Sequence, residues 1–233
     1  MDLAQRHARI TQSVVEICVT EHKWVRSKRS KLFRLKRYYK FRDGIIVTVK
    51  PRYTRIIADD RALRGPIRKS IEVSFGDQVT LPVANIVTSG NGIAVLICHH
   101  EHPVDGFREI EFFGGAVREM DEVYTYSSRN DDEVLTPGTI TSIGAKTFNH
   151  TCPAHYRSEF GSAVTNGNAQ LVGICSSYHE HLTARNIVSI ATKIEHTLQR
   201  PFVVRRDVTV VLRVMLKMSR EWNIICKVSR WRT

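Results

Sequence analysis

The run Ser158-Glu159-Phe160-Gly161-Ser162-Ala163-Val164, continued by Thr165-Asn166-Gly167-Asn168-Ala169-Gln170-Leu171-Val172-Gly173-Ile174, decides how this chain is read. Two apolar segments, at residues 163–164 and 171–174, flank an Asn-Gly-Asn turn, which is the pattern of a strand, a turn and a second strand. The same texture extends upstream from Gly44. The segments Ile45-Ile46-Val47-Thr48-Val49, Ile86-Val87 and Ile93-Ala94-Val95-Leu96-Ile97 are rich in strand formers. Gly76-Asp77 and Ser89-Gly90-Asn91-Gly92 read as the turns between them.

The Phe160 run resembles the nucleophile loop of trypsin-like serine proteases. That loop usually reads Gly-Asp/Asn-Ser-Gly-Gly/Ser-Pro-Val, then a strand, a turn and Gln-Leu-Val-Gly-Ile. Two upstream strings extend the likeness. Gly92-Ile93-Ala94-Val95-Leu96 is similar to the family's Asp-Ile-Ala-Val-Leu, which opens on the triad aspartate. Tyr53-Thr54-Arg55-Ile56-Ile57-Ala58-Asp59-Asp60-Arg61-Ala62-Leu63 is similar to the Tyr-Ile-Leu-Thr-Ala-Ala-His-Val-Val segment that carries the triad histidine. Arg61 and Gly92 are 31 residues apart, and Gly92 and Phe160 are 68 apart. The resemblance implies a mainly β chain built as a two-barrel trypsin-like fold.

It also implies that the three triad positions are Arg61, Gly92 and Phe160. A phenyl ring has no oxygen with which to attack a carbonyl. A guanidinium stays protonated and cannot serve as a general base. Gly92 offers no carboxylate, and Ser158 stands where the family has a glycine that helps form the oxyanion hole. The expectation is therefore a catalytically inactive protease fold, not an enzyme, with Phe160 as an apolar plug and the body serving as a scaffold or docking module. A working hydrolase with relocated residues is the alternative. Ser162 as its nucleophile would require a slip of two residues, and His99, His100 and His102 follow the Ile93 strand on the wrong side.

Net charge is +12, unevenly placed. Residues 1–50 carry +9, residues 51–200 carry −3 and residues 201–233 carry +6. Residues 3–20 place Leu3, Ile10, Val14, Ile17 and Cys18 near helical spacing, which predicts an amphipathic helix. The segment 23–42 then holds ten Lys/Arg and no acid, with Trp24, Phe33, Tyr38, Tyr39 and Phe41 interleaved. This reads as a basic arm. Its candidate binding residues are Lys23, Arg26, Lys28, Arg29, Lys31, Arg34, Lys36, Arg37, Lys40 and Arg42 with Tyr38 and Tyr39. Cations would track phosphates while aromatics stack bases. An acidic protein surface in a larger assembly is the other partner such an arm suits, and a viral capsid shell is one such assembly by analogy.

The domains expected are an N-terminal helix and basic arm over 1–42, a first barrel over 43–105, a second barrel with a C-terminal helix over 106–200, and a basic extension over 201–233. The helix falls at 185–199, where Ile187, Ile190, Ala191, Ile194 and Leu198 recur at helical spacing. Cys98-His99-His100-Glu101-His102 and the Cys175 to His181 segment hold metal-ligating residue types, but neighbours on a strand point to opposite faces. Neither a metal nor a cofactor is expected, nor a small-molecule substrate. No apolar run reaches membrane-spanning length, the N-terminus shows no secretory pattern, and five widely spaced cysteines imply no disulfide framework. These features predict an intracellular or virion-borne protein that is neither secreted nor embedded in a membrane.

Overall fold

A computed structural model describes residues 1–26, 33–63, 69–88, 92–129, 132–153, 161–177 and 182–186. The chain opens with a helix α1 (Leu3–Thr11). Asp2 caps it, its carboxylate accepting from the Gln5 N–H at 2.7 Å. The helix stops well short of residue 20. Val14, Ile17 and Cys18, which fit helical spacing, lie instead on a strand, β1 (Val14–Arg26). The reason is the β-branched run from Val14. Val15, Ile17 and Val19 are all buried at intervals of two, so the strand period wins.

The rest of the first barrel is β2 (Phe33–Lys50), β3 (Tyr53–Asp59), a one-turn helix α2 (Asp60–Leu63), β4 (Lys69–Phe75), β5 (Val79–Thr88) and β6 (Ile93–His99). The strands close in the order β1-β2-β3-β6-β5-β4, sealed by β1 against β4 from Glu16↔Ser74 to Glu21↔Lys69. The second barrel is β7 (Glu122–Arg129), β8 (Asp132–Ile143), β9 (Thr147–His150), β10 (Ala163–Thr165), β11 (Leu171–Ser177) and β12 (Leu182–Asn186). It closes as β10-β11-β12-β9-β8-β7, so both barrels repeat one topology. Ile17, Ile46, Ile56, Val73 and Leu96 fill the first interior, and Val123, Ile140, Phe148, Val164 and Val172 the second. Burying each such side chain contributes about 1.5–3 kcal/mol.

The first barrel begins at Val14, not at residue 43. Residues 43–105 hold only the end of β2 and four further strands, and the sixth must come from upstream. The expected basic arm is therefore not an arm. It is the distal half of a long hairpin in which β1 and β2 pair from Val14↔Ile45 to Arg26↔Phe33. β1 meets β4 only as far as Glu21, and β2 meets β3 only from Ile45 onward. Residues 22–26 and 33–37 therefore form a two-stranded ribbon beyond the barrel wall, and residues 38–44 of β2 continue its edge along the part of β1 that lies in the wall. Of the helix expected over 185–199, Arg185 and Asn186 belong to β12. Its remainder and the basic extension 201–233 lie outside the described residues.

Helix α1 packs on the second barrel, where Ile10 and Val14 cluster with Tyr126 and Ala169. The Arg6 guanidinium sits 3.9 Å above the Tyr124 ring, and its Nε donates to the Gly167 carbonyl at 2.9 Å.

Candidate functional site

The loops that the sequence assigns to a catalytic triad meet at the junction of the barrels. β3 ends at Asp59, and α2 carries Arg61 one turn on. Arg61 folds back on Asp59: its backbone N–H and Nε both donate to Oδ1, at 2.9 and 3.0 Å, and a terminal nitrogen donates to Oδ2 at 2.7 Å. Asp59 is 1% exposed. The Asp60 N–H donates to the Gly92 carbonyl at 2.9 Å, which fixes the turn into β6 beside α2. Gly161, the residue after Phe160, has φ +102°, and a Cβ there would lie 2.8 Å from the Asp43 carbonyl oxygen and 3.7 Å from the Asp59 nitrogen. Only glycine fits that position. Its N–H donates to the Cys175 carbonyl, and the Cys175 N–H to the Ser162 carbonyl, each at 3.0 Å. Phe160 and Ser158 themselves lie outside the described residues.

Ser162 is buried, and its hydroxyl donates to Asp43 Oδ2 at 2.7 Å. This bond joins β2 to the loop leading into β10, and nothing in the sequence marks it, since the two residues are 119 apart. Arg61, which the sequence likeness aligns with the family's histidine, is thus held in an ion pair with Asp59.

A second buried pair lies in the second barrel. The Cys175 sulfur and His150 Nε2 are 3.6 Å apart, both buried. Burial pushes the imidazole down to about 4, so it is neutral near pH 7. Of the histidines considered as ligands, His100 Nε2 contacts Thr54 Oγ1 at 3.0 Å. His179 and His181 lie outside the described residues. Among the described residues no three His, Cys, Asp or Glu side chains converge as a metal site.

The ribbon sorts the basic segment by strand register. Directly paired residues share a face. One face carries Glu21, Lys23 and Val25 with Lys36, Tyr38 and Lys40. There Glu21, 1% exposed, is clamped by Lys40 at 2.6 Å and Lys23 at 2.9 Å. Both ammonium groups hold its carboxyl below the usual carboxylate range. Lys23 also sits 5.4 Å over the Tyr38 ring. The other face carries His22, Trp24 and Arg26 with Phe33, Leu35, Arg37, Tyr39 and Phe41. The Arg42 guanidinium donates to the Phe41 carbonyl at 2.7 Å. Lys28, Arg29 and Lys31 lie outside the described residues, as does the side chain of Arg34.

No family model matches the chain, and no curated protein matches it. Solved structures do. The crystal structure of Deg5 superposes with a TM-score of 0.62 at 11% identity, covering 81% of this chain and 90% of that one. The HtrA-type protease AlgW, solved with a decapeptide, gives 0.63 at 14% identity, covering 84% of this chain and 68% of that one. The chain has the trypsin-like two-barrel fold. These trypsin-like neighbours are HtrA-type proteases, and this corrects the expectation that the chain is not an enzyme: the scaffold it shares is that of a hydrolase.

Proposed function

We propose that this trypsin-like-fold protein binds nucleic acid through the ribbon of β1 and β2. One observation carries the reading. From His22 to Arg42 there is no aspartate or glutamate, and of its described residues 22–26 and 33–37 pair as a ribbon projecting past the barrel, with Arg26, Lys36 and Arg37 exposed on it. A projecting strip of cations free of acids tracks a polyanion, and its binding releases counterions.

The test is anisotropy of labelled RNA on the full chain across a salt series. Truncation to residue 43 would remove β1 and most of β2 and open the barrel, so charge substitutions are the proper control. Affinity should fall steeply with salt, and Lys36→Glu with Arg37→Glu should flatten the logarithmic slope by roughly one unit for each phosphate no longer neutralised. Weak, salt-independent binding by the full chain would end this reading.

A further inference from the structure

The two faces of the ribbon are chemically unlike, and the difference points to a particular form of nucleic acid. On one face Trp24, Phe33, Leu35, Tyr39 and Phe41 are all exposed, with Trp24 and Phe33 at 62% and 64% and Tyr39 at 56%. Arg37 lies between Leu35 and Tyr39 on β2, and Arg26 lies directly opposite Phe33. The other face is occupied by its own electrostatics, since Glu21 takes up Lys23 and Lys40.

We propose, building on the nucleic-acid reading above, that the aromatic face is a stacking platform for single-stranded nucleic acid. Unpaired bases would lie on Trp24, Phe33, Tyr39 and Phe41, with Arg26 and Arg37 holding the phosphates between them. Three arguments select this occupant. Aromatic rings on a strand-built surface offer flat faces to any exposed base, and stacking tolerates every sequence. A duplex hides its base faces inside the stack and presents only backbone and groove edges, so it leaves the rings without partners. A lipid bilayer would have to take up Arg37 from between Leu35 and Tyr39 as well as Arg26 at the ribbon's end, which is costly.

The experiment uses the full chain with a labelled oligouridylate, the same strand annealed to oligoadenylate, and vesicles containing anionic lipid. Variants are Trp24→Ala and Tyr39→Ala on the aromatic face and Lys36→Ala on the opposite one. The single strand should bind more tightly than the duplex and quench Trp24 fluorescence. Trp24→Ala and Tyr39→Ala should each weaken it about tenfold with the salt slope unchanged, because stacking releases no counterions. Lys36→Ala should lower the slope for both forms alike. All three side chains are solvent-exposed, so none of these changes opens the core. Equal binding of duplex and single strand, with affinity unchanged in Trp24→Ala and Tyr39→Ala, would overturn the stacking platform and leave the nucleic-acid reading standing. Failure to bind either nucleic acid would overturn both, and capture by the vesicles in that case would assign the face to a membrane.

Discussion

Asp59 and Arg61 stand two residues apart where β3 gives way to α2, and the aspartate accepts three hydrogen bonds from the arginine. Removing the guanidinium leaves a carboxylate that is 1% exposed without its charge partner. Arg61→Ala should cost about 1–3 kcal/mol in urea unfolding, less than a fully buried pair because the Arg61 side chain is 40% exposed. Adding Asp59→Asn should recover most of that loss; an equal loss in both variants would show that the arginine acts through packing. His150 sets a pH dependence of its own. Its imidazole titrates near 6.5 when unfolded and near 4 in the barrel, so between those values the unfolded chain binds the extra proton. Stability should fall as pH drops through this window, by on the order of 3 kcal/mol in total. His150→Phe should flatten the dependence there, and a curve parallel to wild type would place the titration elsewhere. The two pairs were not equally legible in the sequence. Arg61 could be placed because its neighbours form a readable string, whereas His150 and Cys175 meet only through strand pairing across 25 residues that no local pattern announces.

Among the elements, the ribbon depends most on a single buried charge. Glu21 occupies the last pairing of β1 with β4, so it marks the place where the hairpin leaves the barrel. Lys40 and Lys23 depress its folded pKa, so their support is full above the unfolded value of about 4.3 and is lost as pH falls through the lower folded value. Glu21→Gln should cost about 2 kcal/mol at pH 7 and show a shallower loss than wild type below about pH 4.3, read from urea midpoints. A difference between the two chains that stays constant with pH would remove the clamp from the account. Strands from Gly44 onward were readable because one face is buried, which imprints a period of two. The ribbon was not, because both of its faces meet water and cations alternate with aromatics on each. The overrun of α1 has a related cause: Val14, Ile17 and Cys18 satisfy a helical stripe as well as they satisfy a strand, and only the burial of Val15 and Val19 breaks the tie.

For the whole molecule, the barrels are joined by more than the connecting chain. Helix α1 precedes the first barrel in sequence yet packs on the second, with Arg6 stacked on Tyr124 and bonded to Gly167. Arg6→Ala should destabilise the chain by about 2 kcal/mol, and Arg6→Lys should recover little of it, since an ammonium lacks the planar surface that lies over the ring. Full recovery by lysine would reduce the contact to charge alone. At this scale the two-barrel plan was legible from loop spacing, while the strap was hidden because Ile10 and Arg6 reveal their partners only once the chain is folded. The bond from Ser162 to Asp43 carries a further consequence. Asp43 follows Arg42 on the strand that runs into the ribbon, its side chain accepts from Ser162, and its backbone carbonyl packs closely against Gly161. The strand that runs into the ribbon and the loop at the junction of the barrels are thus tied to one another at Asp43. A ligand that orders the ribbon should therefore also restrain that loop, and by reciprocity an ordered loop should favour the ligand. Amide exchange at residues 161–163 should slow when oligouridylate occupies the ribbon, and Ser162→Ala should abolish that slowing while leaving the strand platform intact.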